Sequence, residues 1–151
     1  MRITEASAKV PATYSRARFV EILQLVERFI NYFIRTSYVI PISDETTAIT
    51  TGAGKVTLRL GYAFSLTEVP RASLTTASSS GTPTFDINVN GSSILSTKIT
   101  IEENERTSTT ATVPAVYTTS EIPEDAEITL DIDVAGTGAK GAKIILIGRQ
   151  S

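Results

Sequence analysis

RARFVEILQLVERFINYFIR, residues 16–35, is the stretch on which the reading of this chain turns. Its apolar residues Phe19, Ile22, Leu23, Val26, Phe29, Ile30 and Phe33 recur at the i, i+3, i+4, i+7 spacing that gathers them on one face of a helix. Ser15 is placed to cap its first turn, and the β-branched and aromatic run Tyr38-Val39-Ile40 before Pro41 ends it near Thr36. In heptad terms Phe19, Val26 and Phe33 share one core position, and Ile22 and Phe29 share the other. Leu23 and Ile30 widen the stripe beyond what a two-stranded seam covers, while Leu25 and Tyr32 flank it. Burial of each large side chain is worth about 1.5–3 kcal/mol, so something covers this face. The cover is either the chain's own β-structure or further copies of the helix.

Outward from the helix, the composition narrows the possible chemistry. The chain has 151 residues, enough for one domain with a substantial core. It contains no Cys and no His, which removes disulfides, thiol nucleophiles, zinc–thiolate sites, imidazole bases and the Ser-His-Asp arrangement. A net charge of -2 with scattered basic residues argues against nucleic acid as a partner. No apolar run is long enough to span a bilayer, and MRITEASAKV (Met1 to Val10) lacks the apolar core of a secretory signal. The expectation is a soluble, non-enzymatic protein made in the cytoplasm, with no cofactor and no metal.

Met1 to Tyr14 is aperiodic and reads as an extended arm. After Tyr38 the apolar period becomes two. Lys55 to Tyr62 reads as a strand preceded by a turn at Thr51–Gly54, and Leu66 to Ala77 as a strand interrupted at Pro70. Ser78 to Pro83 is a loop by composition. Phe85, Ile87 and Val89 alternate with polar residues and lead into Asn90-Gly91, the signature of a type I′ hairpin. The return strand covers Ile94 to Ile101, the Thr-rich stretch Thr107 to Val116 reads as an edge strand, and Glu127 to Val134 alternates as a one-sided strand. The continuous apolar run in Ala142 to Gly148 suggests a central strand covered on both sides. Together these predict a mainly β fold: an antiparallel, eight-stranded, jelly-roll-like β-sandwich (38–151) preceded by an N-terminal arm and one long amphipathic helix (1–37).

Several motifs invite chemical readings that their context opposes. Gly136 to Gly141 spells GxGxxG, but a β run rather than a helix follows it. Asp131 and Asp133 resemble the start of a calcium loop, yet Ala135 replaces the third ligand. Glu102, Glu103 and Glu105, and Glu124 with Asp125, supply carboxylates at charged turns, the only basis for a hydrolase reading. Tyr62, Phe64 and Tyr117 read as core residues before they read as a sugar platform.

The β portion resembles a domain found in virion proteins of tailed bacteriophages. The likeness rests on DETTAITTGAGKVTLRL (Asp44 to Leu60), RASLTTA (Arg71 to Ala77), FDINVNGSSILSTKITI (Phe85 to Ile101), Glu105 to Ala111, and DAEITLDIDVAGTGAKGAKIILIG (Asp125 to Gly148). It is similar to the β module of small head-decoration and fibre-type proteins. The resemblance implies a structural component of the virion, assembled in the host cytoplasm, with capsid, neck or tail proteins as partners. Appendages of this kind are commonly homotrimers, and the wide helical stripe suits three strands. The expected oligomer interface is therefore Phe19, Ile22, Leu23, Val26, Phe29, Ile30 and Phe33. The alternative is a glycan- or receptor-binding module at a fibre tip, using the loops Ser78–Pro83 and Ala135–Gly141.

Overall fold

The computed structural model describes residues 15–151, apart from the side chains of residues 31–33; the arm expected over Met1–Tyr14 lies outside the described residues. The chain divides between Ile34 and Arg35 into two units.

In the first, helix α1 spans Arg16–Phe33. The Ser15 hydroxyl accepts a 3.3 Å bond from the Arg18 amide, satisfying one of the donors left over in the first turn. At the other end the Ile34 amide donates to the Ile30 carbonyl at 3.1 Å. The helix stops short of Thr36, which is already the first residue of a strand.

The second unit is built from twelve short strands rather than eight, in open antiparallel sheets. In the first sheet, β1 (Thr36–Pro41) lies along β12 (Lys143–Gln150), with Thr36 opposite Gly148 and Pro41 opposite Lys143. The other edge of β12 is shared by β3 (Phe64–Leu66) and β4 (Arg71–Ser73), and β10 (Glu121–Ile122) continues beyond β3. Pro70, which has no amide to donate, separates β3 from β4 as the sequence predicts. In the second sheet, β11 (Glu127–Val134) runs between β2 (Gly52–Arg59) and β5 (Thr84–Val89). Beside β5 lie β6 (Ser92–Ser93) and β8 (Ile99–Thr100). A separate pair joins β7 (Leu95–Thr97) to β9 (Val116–Tyr117).

One hydrophobic core draws on both large sheets. Ile128, Leu130, Ile132, Phe85 and Ile87 come from the second, and Ile144, Leu146, Phe64, Leu66 and Ala72 from the first. Phe64 is fully buried and meets Tyr38 edge to face, with ring centroids 5.3 Å apart, so it packs rather than presenting a platform. Tyr62 and Tyr117 pack against the same core. The hairpin at Asn90-Gly91 forms as expected, with φ of 50° and 80° and Val89 paired to Ser92.

Four local expectations are corrected. Thr51–Gly54 is not a turn: Gly52 already begins β2, and Gly54, at φ 59°, absorbs the register shift of that strand against Leu130 and Ile132. The return strand Ile94–Ile101 is split into two pieces, because the Ser93 hydroxyl bonds Asp86 at 2.7 Å and the Leu95 amide at 3.1 Å, diverting β7 from β5 towards β9. Thr107–Val116 is not an edge strand. Thr107 accepts from the Thr109 amide and starts a 3-10 turn at Ser108–Thr110, while the Ser108 hydroxyl takes the Ala72 amide at 2.9 Å. Hydroxyl side chains here offer the backbone partners that compete with a ladder. Finally, β12 is central and unevenly covered: Ile144 and Leu146 are fully buried, while on the other face Ile147 is buried and Ile145 only half-buried.

Candidate assembly interface

The apolar stripe of α1 is on the surface of the single chain. Phe19, Ile22, Leu23, Val26, Phe29 and Ile30 are each between 41% and 65% exposed. The side chain of Phe33 lies outside the described set. Leu25 and Val20 are exposed as well, so the apolar surface reaches beyond the heptad positions. The stripe exists because each turn of 3.6 residues returns a Phe, Ile, Leu or Val to the same side. Three- and four-residue alternation is the geometry by which helices interlock knobs into holes. Chemically the face can do one thing, which is to exclude water against another apolar surface.

In the β unit the large apolar residues are mostly gathered in the core, and the exposed ones, Val39, Val69, Val113, Val116 and Val134, are scattered over different elements and loops. Several of its carboxylates are occupied. Asp86, almost fully buried, accepts from its neighbour's amide (Ile87, 2.8 Å) and from the Ser93 hydroxyl, and pairs with Lys98 at 3.2 Å. Lys98 also binds Asp133; these two carboxylates, Asp133 foremost, hold the Lys98 ammonium above its ordinary pKa. Asp131, considered above as a metal ligand, instead accepts from the Gly54 amide at 2.6 Å and the Asn88 side chain at 2.8 Å. Glu102 accepts from the Thr112 amide at 2.8 Å, which lowers its pKa. No cluster of three potential metal-ligating side chains occurs among the described residues.

The sequence singled out neither of the two knots that tie the loop after β1. Asp44 accepts from the amides and hydroxyls of both Thr46 and Thr47, with Thr47 contributing most, and its carboxyl is held far below the usual carboxylate range. Beside it Glu45 binds Lys143 and Thr75, which lower its pKa in that order. The Asp-x-Thr-Thr spacing was the available signal, since a short acceptor two and three residues before two amides forms an Asx-type turn.

The two loops considered for glycan binding close on each other. Ser79 donates to the Thr137 carbonyl and Thr137 donates to the Ser80 carbonyl, both at 2.9 Å, while the Ser78 hydroxyl, fully buried, accepts from the Thr137 amide at 3.0 Å. Gly136 lies so close to Ser78 and Pro83 that a side chain would collide with both. The GxGxxG letters thus mark a packed corner between β11 and β12, with no helix after it. A groove of about 400 Å³ lies elsewhere, lined by Pro70, Arg71, Ser108, Thr109, Ala111 and Pro114.

Comparison with known protein families, curated proteins and solved structures finds no match to this chain.

Proposed function

We propose that this chain is a structural component of a tailed-bacteriophage particle, a capsid-decoration or fibre protein that assembles as a homotrimer through α1 and exposes its β domain. The observation that carries the reading is the exposed stripe Phe19, Ile22, Leu23, Val26, Phe29 and Ile30 on α1, while the hydrophobic core of the β unit is built from its own residues. Six large side chains at about 1.5–3 kcal/mol each supply a driving force of the same order as the cost of bringing copies together.

The strand order supports the jelly-roll form of this reading. With β3–β4, β6–β8 and β9–β10 each taken as one broken strand, the sheets run first-eighth-third-sixth and second-seventh-fourth-fifth. That interleaving matches the double Greek key expected of a jelly roll, an architecture that capsid domains use.

Light scattering of the full chain tests the assembly step: the expected mass is three times the 16.2 kDa of one chain. Mass spectrometry of purified particles from the phage that encodes it tests the location. Absence from the particles removes the virion reading, and a monomeric mass removes the seam.

The groove at Pro70 favours the second reading, a glycan-binding module, because hydroxyl-bearing residues, Thr100, Ser108 and Thr109, line it together with Pro114 and Ala115. Saturable binding of the full chain to a glycan array is the result that reading requires.

A further inference from the structure

The groove at Pro70 is lined by an arginine whose hydrogen-bonding capacity is mostly unspent. Arg71, the first residue of β4, and Glu68, three positions before it, both belong to the lining. The Arg71 guanidinium donates through Nη2 to the Glu68 carboxylate at 2.6 Å. Its Nε and Nη1 groups have no hydrogen-bond partner among the described residues. Glu68 is itself shared, because its other oxygen pairs with Arg35. Two guanidinium groups thus meet one carboxylate, and one positive charge is left over. The rest of the lining is neutral: Thr100, Ser108 and Thr109 bear hydroxyls, and Pro70, Pro114 and Ala115 are apolar. The Ser108 hydroxyl accepts the Ala72 amide at 2.9 Å and keeps its own proton to donate. The Thr100 hydroxyl has no partner among the described residues.

We infer that this groove takes an acidic saccharide, its carboxylate on the open edge of the Arg71 guanidinium and its hydroxyls on Thr100, Ser108 and Thr109. The inference rests on the glycan-binding reading above and names the ligand class for that same site. Charge selects an anion, since the leftover positive charge is the one feature of the lining that a neutral ligand leaves unmatched. Shape selects a carboxylate, because the planar fork formed by Nε and Nη1 binds both oxygens of a carboxylate at once. Hydroxyl groups interleaved with proline and alanine suit a sugar, which presents its own hydroxyls between C–H faces. A volume of about 400 Å³ stands at the small end of ligand sites and holds about one or two sugar units.

The test is an array that carries uronate- and sialate-bearing oligosaccharides beside the same oligosaccharides with each carboxyl reduced to an alcohol. The full chain is applied to it, and the tightest acidic member and its reduced counterpart are then titrated by calorimetry. Binding is expected to the acidic members and to weaken about tenfold or more on reduction, because a charged hydrogen-bonding partner is lost. Arg71→Gln should weaken binding of the acidic member to the same degree, and Arg71→Lys, which keeps the charge without the fork, should fall between. The Arg71 side chain is 44% exposed, so both variants should melt close to the parent. Arg59→Gln, on the second sheet and paired with Glu127, should bind like the parent. Equal binding of acidic and reduced members, or an Arg71→Gln variant that binds the acidic member as the parent does, overturns the inference and leaves the glycan reading standing. An absence of saturable binding to every member overturns both.

Discussion

The carboxylate of Asp131 accepts a hydrogen bond from the backbone amide of Gly54 at 2.6 Å, across the point where β2 slips its register against β11. The same carboxylate takes the side-chain amide of Asn88 at 2.8 Å from the strand on the other side. One side chain thus spans three strands where the ladder is irregular. Asp131→Ala removes two bonds to a charged acceptor on a half-buried residue. The expected cost is about 2 kcal/mol, read from the denaturant midpoint at neutral pH.

Gly148 sits in β12 against the carbonyl of Ser65 and the ring of Phe64, both too close for an added methyl group. Gly148→Ala therefore has to push backbone or a fully buried ring, and should cost about 1–3 kcal/mol. Gly54→Ala is a useful contrast. Nothing lies near its missing Cβ, and only the positive φ of 59° opposes the change, so about 1 kcal/mol is expected.

Acid should loosen the loop that follows β1. Asp44 and Glu45 have carboxyls held below their ordinary values of 3.8 and 4.5, so the folded chain binds fewer protons than the unfolded chain in the interval beneath those values. Their contribution is complete above about pH 5 and is lost as pH falls through the folded values. Asp44→Ala should lower the melting temperature at pH 7 and flatten its decline between pH 4 and pH 2, a slope that differential scanning calorimetry reads directly. An unchanged slope removes the assignment.

Base acts on a different site with the opposite sign. Lys98, lodged between Asp133 and Asp86, has its pKa raised above 10.5. Its contribution is present below 10.5 and disappears as pH rises through the folded value. Lys98→Met should therefore reduce stability at pH 7 and remove part of the loss seen in the parent above about pH 10.5, which equilibrium unfolding at stepped pH checks.

Phe29→Asp places a charge in the proposed seam at a position 65% exposed in the single chain. The β unit should melt at its former temperature, because the substitution lies on the helix, while the native mass falls from three chains to one. An unchanged mass removes the seam.

Local patterns were enough wherever a segment's partners lay in its own neighbourhood. The α1 stripe, the Ser15 cap, the Asn90-Gly91 hairpin and the alternation of Glu127–Val134 could all be read directly, because helix and hairpin periodicities depend on residues a few positions apart. The Thr-rich stretch could not. Thr107 to Val116 has strand-forming residues, but Ser108 is claimed by the Ala72 amide and Thr107 by its own turn. The same holds for Gly52 to Gly54, whose turn-like letters are drawn into β2 by Asp131, 77 positions away.

The residues of the candidate seam were legible in the sequence because amphipathicity is a property of one helix. The sequence alone determined that a helix with a wide apolar face precedes a β-rich chain lacking imidazole and thiol chemistry. Only the tertiary structure decided that β1 lies along β12, that the proposed glycan loops seal each other, and that Ile144 and Leu146 rather than Ile145 enter the core. Those facts depend on pairings between segments about sixty residues apart for the loops and about a hundred for the strands. Register, not composition, sets which side of a strand meets the core.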